Sequence, residues 1–251
     1  WDPSLPDMAP TERGAIYDEM NRVIAALHRV KYAGQGLAAY GKPGNYFDRQ
    51  IGRWSKQYMA SITQPIEEMD RLMEWLPANL PASARDESKV SIVHGDYRLD
   101  NLMFHPTEPR VIAVLDWELS TLGHPLADFS YHCMAWNIPA GMFRGIGGLD
   151  LPSLGIPSES DYLHQYCKRT GITTPEALRA DWNFYMAYNM FRIAAILQGI
   201  AQRVQAGTAS SAQARASGEG ARPMAQLAWA EGDVTGALEQ ALLGDKRLCL
   251  V

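Results

Sequence analysis

Three side chains able to take part in phosphate chemistry lie close together in the middle of the sequence. Asp96 is followed after four residues by Asn101, and Asp116 ends an apolar run fifteen residues beyond Asn101. In phosphoryl transfer to a hydroxyl group, one aspartate accepts the hydroxyl proton, while an asparagine and a second aspartate hold Mg²⁺ on the nucleotide phosphates. The residue types and their order therefore indicate phosphotransfer chemistry.

The neighbouring elements predict how these residues meet. Leu102–Phe104 and Val111–Leu115 are short β-favouring runs separated by a compact turn, a pattern typical of a hairpin. Asp96 and Asn101 stand at the two ends of the loop before the first strand, and the return strand carries Asp116 back to the same edge. Mg²⁺ prefers oxygen ligands, which both Asn101 and Asp116 supply.

The protein-kinase loop pattern, His-x-Asp followed by Asn after four residues, fits the same stretch, with His94 in the histidine position. Turn chemistry alone is the simpler alternative, because Asp and Asn are common turn residues. A loop that merely caps itself does not explain a strand-end aspartate at the matching distance.

Most of the remaining chain shows helical periodicity. Helices are predicted over about residues 16–27, 46–61 and 66–76, with Pro77 and Pro81 ending the third, and over 181–206, with a last helix through Trp229. Another β-favouring run covers Val90–Val93, and the Gly/Ala/Ser-rich residues 207–220 are expected to connect two helices. The predicted fold class is α+β, mostly helical, with a small embedded β-hairpin.

Composition excludes several classes of protein. The 251 residues are 47% apolar and 20% charged with a net charge of −5, which argues against disorder and against a nucleic-acid partner. Three scattered cysteines indicate neither a disulfide framework nor a zinc site. The most apolar stretch, residues 184–201, contains Asn189, Arg192 and Gln198, so a buried helix is predicted and no membrane partner. Because no signal peptide is recognised, a cytoplasmic protein is expected. The sequence does not define the oligomeric state.

Several motifs resemble the aminoglycoside phosphotransferase and choline kinase group of small-molecule kinases. These are His94–Asn101, Leu115–Glu118 and Gly123–Asp128, and residues 1–6 and 116–125 are most similar to kinase-like domains joined to acyl-CoA dehydrogenases. The resemblance runs to about residue 229 and implies a protein-kinase-like C-terminal lobe, ATP and Mg²⁺ as cofactors, and a small hydroxylated substrate. We assign this lobe to residues 1–231 and a weakly patterned tail to 232–251.

The resemblance also implies roles for individual residues. Asp96 would be the catalytic base, Asn101 and Asp116 would bind the nucleotide through Mg²⁺, His94 would orient the catalytic loop, and Asp128 would anchor that loop from the start of a helix.

Two further residues are ambiguous. Arg98 is expected either to contact the γ-phosphate as a catalytic residue or to form a surface salt bridge with Asp100 or Glu118. Glu118 is expected to support the metal or to cap a helix.

The acceptor is predicted from the long helix. Residues 182–207 contain no Asp or Glu, whereas a polycationic aminoglycoside requires acidic walls. A hydroxyacyl-CoA-like substrate is therefore expected, in line with the resemblance. Asn189 and Arg192 are its candidate contacts, with satisfied core polar groups as the alternative.

The sequence also departs from kinases of this kind. Residues 1–60 show no hairpin series, phosphate loop or strand lysine, and the glycine-rich residues Gly145–Gly148 are expected to form an ordinary loop rather than a phosphate-binding one. The nucleotide-binding lobe is therefore expected to be missing. The chain alone is expected to be nearly inactive. Two alternatives remain: a catalytically silent kinase-like binding module, and a metal-dependent phosphoesterase. The latter would draw ligands from the histidines and aspartates between His94 and His132.

Overall fold

A computed structural model describes residues 2–209 and 211–232. Within them the chain forms two compact units, the first from residues 2–47 and 81–182 and the second from 48–80 and 183–232. Trp1 and residues 233–251, which include nearly all of the predicted tail, lie outside the described residues.

The first unit contains all the strands found in the described part of the chain. Its elements are α1 (Pro10–His28), β1 (Ser91–Val93), β2 (Leu102–Phe104), β3 (Val111–Val114), β4 (Thr121–Gly123), α4 (Pro125–Asn137), α5 (Leu151–Leu154), α6 (Glu159–Thr170) and α7 (Pro175–Ala180). Helix α1 packs on α6 and β1, and α4 also packs on β1.

The apolar periodicity correctly predicts α1. Ile16, Met20 and Ile24 are buried on one face, and Pro10 occupies the first helical position, where its missing N–H removes no intrahelical bond. The helix begins six residues before the first periodic apolar residue. Its residues 10–12 are exposed and the next, Arg13, is a buried polar residue, so the first turn carries no apolar signal.

The predicted hairpin is confirmed. β2 and β3 are antiparallel with Leu102 opposite Val114, and a register shift follows Met103. The His105 N–H donates to the Arg110 carbonyl at 2.8 Å and closes the turn. The return strand ends at Val114, one residue earlier than predicted.

A second two-stranded sheet was not predicted. β1 pairs antiparallel with β4, with Ser91 opposite Gly123. The three residues of β4 are too few to show a period. A Cβ at Gly123 would lie 2.5 Å from the Tyr46 ring, so close packing requires glycine there.

All the regular elements in the described residues of the second unit are helices. It is built from α2 (Tyr46–Ser61, from Asp48 onward), α3 (Glu67–Ala78), α8 (Trp182–Gln205, from Asn183 onward), α9 (Ala212–Glu219) and α10 (Ala221–Gly232). The interior position predicted for the apolar stretch in α8 is confirmed, since its side chains are largely buried.

Two sequence predictions about this unit were wrong. Pro77 does not end α3 but lies in its last turn, where a missing N–H removes a single helical hydrogen bond. The segment 207–220 is not only a connection, because it contains α9, whose first turn is capped by the Ser211 hydroxyl accepting from the Ala214 N–H at 3.0 Å.

The predicted fold class, mostly helical with small antiparallel strands, is confirmed. Across the residues described, no helix is both long enough and apolar enough to cross a membrane.

Candidate active site

The loop between β1 and β2 carries the predicted base and the first predicted metal ligand. The Asn101 amide nitrogen donates to the main-chain carbonyl of Asp96 at 2.8 Å and to its carboxylate Oδ2 at 3.0 Å. These two bonds draw the ends of the loop together. They use the nitrogen of the amide and leave its oxygen, the atom that binds metals, for another partner.

His94 ties this loop to the end of the hairpin. Its ring is fully buried, Nε2 donates to the Leu115 carbonyl at 2.8 Å, and Nδ1 accepts the Asp96 N–H at 3.2 Å. These contacts assign the proton to Nε2. His94 thereby links the return strand to the base, the geometry that its predicted role requires.

Asp128 holds the backbone of the same loop from the first turn of α4. Its Oδ2 accepts the His94 N–H at 2.7 Å and its Oδ1 accepts the Gly95 N–H at 2.8 Å. Gly95 has φ +83°, and a Cβ there would lie 2.8 Å from the Leu119 carbonyl oxygen, so the turn requires glycine.

A buried histidine lies behind this carboxylate. His28 Nε2 contacts Asp128 Oδ2 at 3.2 Å, and its Nδ1 contacts the Tyr166 hydroxyl at 2.7 Å. Burial raises the pKa of Asp128, but the hydrogen bond and charge of His28, together with the two backbone N–H groups, outweigh it and hold the pKa below its usual range. Asp128 therefore stays ionised inside the protein.

Asp116 reaches the site through the hairpin backbone. The Leu115 N–H donates to the Asn101 carbonyl at 2.8 Å, which extends the ladder by one pair and makes Asp116 the next residue. Asp116 adopts the left-handed conformation, φ +63° and ψ +57°. Its side chain is exposed, and in the described structure no hydrogen bond or ion pair engages its carboxylate.

The donor set suits magnesium. It offers one amide oxygen from Asn101 and an exposed carboxylate from Asp116, both hard oxygen ligands. We conclude that these residues fit Mg²⁺ better than zinc, which prefers nitrogen and sulfur ligands.

Two arginines surround the loop. Arg98 Nε lies 3.2 Å from Asp96 Oδ2 and its Nη1 lies 3.8 Å from Asp100 Oδ2, while Arg144 pairs with Asp100. Burial and then the charge of Arg98 lower the pKa of Arg144. The contact of Arg98 with Asp100 is the salt bridge that the sequence analysis gave as an alternative. The contact of Arg98 with Asp96 was not predicted.

The other candidate residues, Glu118, Asn189 and Arg192, take no part in the contacts described above. Glu118 is exposed in the single 3₁₀ turn Trp117–Leu119, with no hydrogen bond or ion pair to its carboxylate from the residues described. Asn189 and Arg192 are buried in the second unit, where Asn189 donates to the Tyr185 carbonyl at 3.2 Å and Arg192 lies 5.5 Å from the Trp54 ring. Both side chains are therefore core residues of the second unit.

The histidines considered for a phosphoesterase have other partners. His124 accepts the Leu126 N–H at 3.2 Å and contacts the Ser83 carbonyl at 3.0 Å, and His132 contacts the Tyr162 hydroxyl at 2.7 Å. Burial lowers the pKa of both histidines to about 4. The described chain contains no group of three or more His, Cys, Asp or Glu residues arranged to hold a metal.

The glycine-rich segment is a loop, as expected. Gly147 and Gly145 form isolated bridges with Pro139 and Ala140, and a Cβ at Gly145 would lie 2.1 Å from the Ile138 carbonyl oxygen. These glycines therefore allow two backbone segments to approach closely.

Sequence reasoning missed four residues near the site: His28, Tyr131, Arg144 and Tyr166. The Tyr131 hydroxyl donates to Asp96 Oδ1. A signal for Tyr131 existed, since it lies three residues after Asp128 on the same helix and so on the same face. No local pattern pointed to the other three.

Comparison with known proteins identifies the class. Residues 2–180 match the Phosphotransferase enzyme family (APH), and the chain belongs to this family. It is 63% identical to a candidate aminoglycoside phosphotransferase of known structure from Ralstonia eutropha JMP134, with a TM-score of 0.87 over 93% of this chain and 69% of that one.

The chain is also similar to three more distant proteins. Choline kinase from Cryptosporidium parvum Iowa II has the same fold, with 11% identity and a TM-score of 0.57 over 92% of this chain and 67% of that one. Acyl-CoA dehydrogenase family member 10 from Mus musculus is 47% identical over 91% of this chain and 21% of that protein. Acyl-CoA dehydrogenase family member 11 from Homo sapiens is 40% identical over 84% of this chain and 26% of that protein. The chain thus spans about a fifth to a quarter of the length of these curated relatives.

Proposed function

We propose that this chain carries the catalytic loop and metal ligands of an ATP-dependent phosphotransferase whose acceptor is a hydroxyl group on a small molecule. The observation that carries the proposal is the hydrogen-bonded connection from Asp96 through Asn101 to the strand end at Leu115. It supports the proposal because it links the proposed base, Asp96, to the proposed ligand Asn101 and to the residue before the proposed ligand Asp116.

The proposed chemistry assigns one task to each residue. Mg²⁺–ATP, when bound, supplies the phosphoryl group, whose bond to the leaving diphosphate breaks as the acceptor oxygen bonds to phosphorus. Asp96 takes the proton of the acceptor hydroxyl at a carboxylate oxygen, and the electron pair of the O–H bond stays on the acceptor oxygen. Asn101 and Asp116 would hold the metal.

The surface around Asp116 supports nucleotide binding. Leu115, Trp117 and Leu119 are 41%, 40% and 38% exposed, an unusual concentration of large apolar side chains on the surface. Such residues next to a metal ligand suit a site that a nucleotide or further protein covers.

The proposed acceptor is a hydroxyacyl-CoA-like compound rather than an aminoglycoside. Relatives 47% and 40% identical to this chain are named as acyl-CoA dehydrogenase family members. Helix α8, Trp182–Gln205, contains no acidic residue that would attract a polycation. The net charge of −5 supports small-molecule rather than nucleic-acid partners.

The test is a phosphotransfer assay on the complete protein in which this chain occurs. With Mg²⁺–ATP, we expect phosphorylation of 3-hydroxybutyryl-CoA and none of kanamycin. Asp96→Asn should lower kcat by roughly 100-fold or more and change the affinity for ATP by less than twofold, because the loss of a general base affects the chemical step. Asp70→Asn, which alters an exposed carboxylate on α3, is the control.

Other outcomes favour other functions. Unchanged turnover in Asp96→Asn would remove the base assignment. Nucleotide binding without turnover would favour a silent binding module, and Zn²⁺ or Mn²⁺ retained on purification would favour the phosphoesterase.

A further inference from the structure

The carboxylate of Asp96 is held from two sides. Oδ2 accepts the Asn101 amide at 3.0 Å and lies 3.2 Å from Arg98 Nε, whereas Oδ1 accepts the hydroxyl of Tyr131. The Asp96 side chain is only 16% exposed. Each carboxylate oxygen offers two acceptor positions, and each accepts one hydrogen bond, from Asn101 at Oδ2 and from Tyr131 at Oδ1. The contact of Arg98 Nε with Oδ2 is an ion pair without a hydrogen bond, and it places the guanidinium on that side of the carboxylate.

Helix α4 supplies the contact to Oδ1. Asp128 in its first turn accepts the backbone N–H groups of His94 and Gly95, and Tyr131, one turn later, is buried on the same face. One helix thus fixes both the backbone of the loop and the orientation of its carboxylate.

We infer that Tyr131 is a positioning residue for the base: its hydroxyl holds Asp96 Oδ1 so that the remaining acceptor position of that oxygen meets the substrate hydroxyl. This rests on the proposed function. The acceptor proton passes to Oδ1, the O–H electron pair stays on the acceptor oxygen as that oxygen bonds to phosphorus, and the phosphorus–oxygen bond to the leaving diphosphate breaks.

The assignment has a kinetic consequence. A hydrogen bond to a charged group is among the stronger ones in proteins, so removal of the hydroxyl leaves the carboxylate free to rotate away from the acceptor. Tyr131 touches neither Asn101 nor Asp116 in the contacts above, so nucleotide binding should not depend on its hydroxyl.

The experiment is a double-mutant cycle in the complete protein. Tyr131→Phe should lower kcat roughly 10- to 100-fold for phosphorylation of 3-hydroxybutyryl-CoA and for Mg²⁺-dependent hydrolysis of ATP. The KM for ATP and the Kd of Mg²⁺–ADP by calorimetry should change less than twofold. In the Asp96→Asn background, Tyr131→Phe should add less than twofold, because both changes act on one interaction.

Tyr162→Phe is the matched control. It also removes one buried tyrosine hydroxyl, but its partner is His132 rather than the base. kcat is expressed per nucleotide-binding site, so partial unfolding of a variant does not imitate a catalytic loss. Effects of Tyr131→Phe equal to those of Tyr162→Phe, or additive with Asp96→Asn, would overturn the inference while leaving the proposed function intact. Absence of turnover in the wild-type protein would overturn both.

Discussion

The proposed base and the more distant proposed metal ligand are held in opposite ways. The side chain of Asp96 is 16% exposed and contacts Asn101, Arg98 and Tyr131. Asp116 is exposed, and among the described residues no hydrogen bond or ion pair reaches its carboxylate. One residue is fixed by side-chain contacts and the other by backbone alone.

This difference indicates when each residue becomes ordered. The Asp96 carboxylate is in position before any ligand arrives, because folding itself makes its hydrogen bonds. A carboxylate in solvent loses little when it turns to a cation, whereas one already bound to arginine would first have to break that pair. The proposed site thus combines a carboxylate fixed by the fold, Asp96, with an exposed one, Asp116, that is available to a metal ion.

Removing the carboxylate of Asp116 tests the exposed side and should have the largest effect. Asp116→Asn keeps a residue type that tolerates φ +63°, so the free energy of unfolding should change by less than about 0.5 kcal/mol. Phosphotransfer should fall roughly 100-fold or more, and Mg²⁺–ADP should bind more weakly. Calorimetry and the kinase assay measure these quantities.

Glu118→Gln is the matched control, because Glu118 lies in the turn that follows and is equally exposed. An equal loss in that variant would assign the metal to the turn as a whole. A stability loss in Asp116→Asn would contradict the claim that this side is held by backbone alone.

The local parts of this comparison could be predicted from sequence. The spacing of Asp96 and Asn101, and an aspartate after an apolar strand, are short-range patterns. In the structure Asp96 and Asn101 are hydrogen-bonded, and Asp116 follows the residue whose N–H donates to the Asn101 carbonyl. The apolar periods of α1 and α8 are equally local. A three-residue strand such as β4 is not, because its partner β1 lies about thirty residues earlier.

The supporting contacts depend on tertiary structure. His28 and Asp128 are one hundred residues apart in the chain, and no spacing rule joins them. Arg144 lies in a loop with φ +60°, a conformation that no residue preference indicates. Only Tyr131 could have been found, as the residue one helical turn beyond Asp128.

Asp128→Asn tests the preformed side. An amide offers one acceptor oxygen where the loop needs two, and its nitrogen would face a backbone N–H, so we expect a loss of about 3 kcal/mol in the free energy of unfolding. Asp161→Asn is the control, an exposed carboxylate in the first turn of α6. Equal losses in urea unfolding would mean that the loop supports itself.

The smallest effect expected of a single substitution concerns His132, one of two buried histidines that stay neutral in the folded protein. Burial lowers the pKa of His132 to about 4, so from about pH 6.5 down to 4 the unfolded chain binds a proton that the folded chain does not. The contribution of this histidine to the free energy of unfolding is therefore complete above about pH 7 and falls with decreasing pH, by about 2 kcal/mol at pH 5. The buried His124 should lower the free energy of unfolding by as much again.

Urea unfolding at pH 7, 6 and 5 tests this dependence. His132→Gln should remove about half of the decrease, while His164→Gln, at an exposed position on α6, should leave it unchanged. Because the pKa of Asp128 is lowered in the folded protein, its titration changes the free energy of unfolding only below about pH 4. It therefore does not affect the measurements between pH 7 and 5. If His132→Gln retains the full slope, the histidine beside Tyr162 is already protonated in the folded protein. The surroundings of His132 would then be more hydrated than its burial indicates.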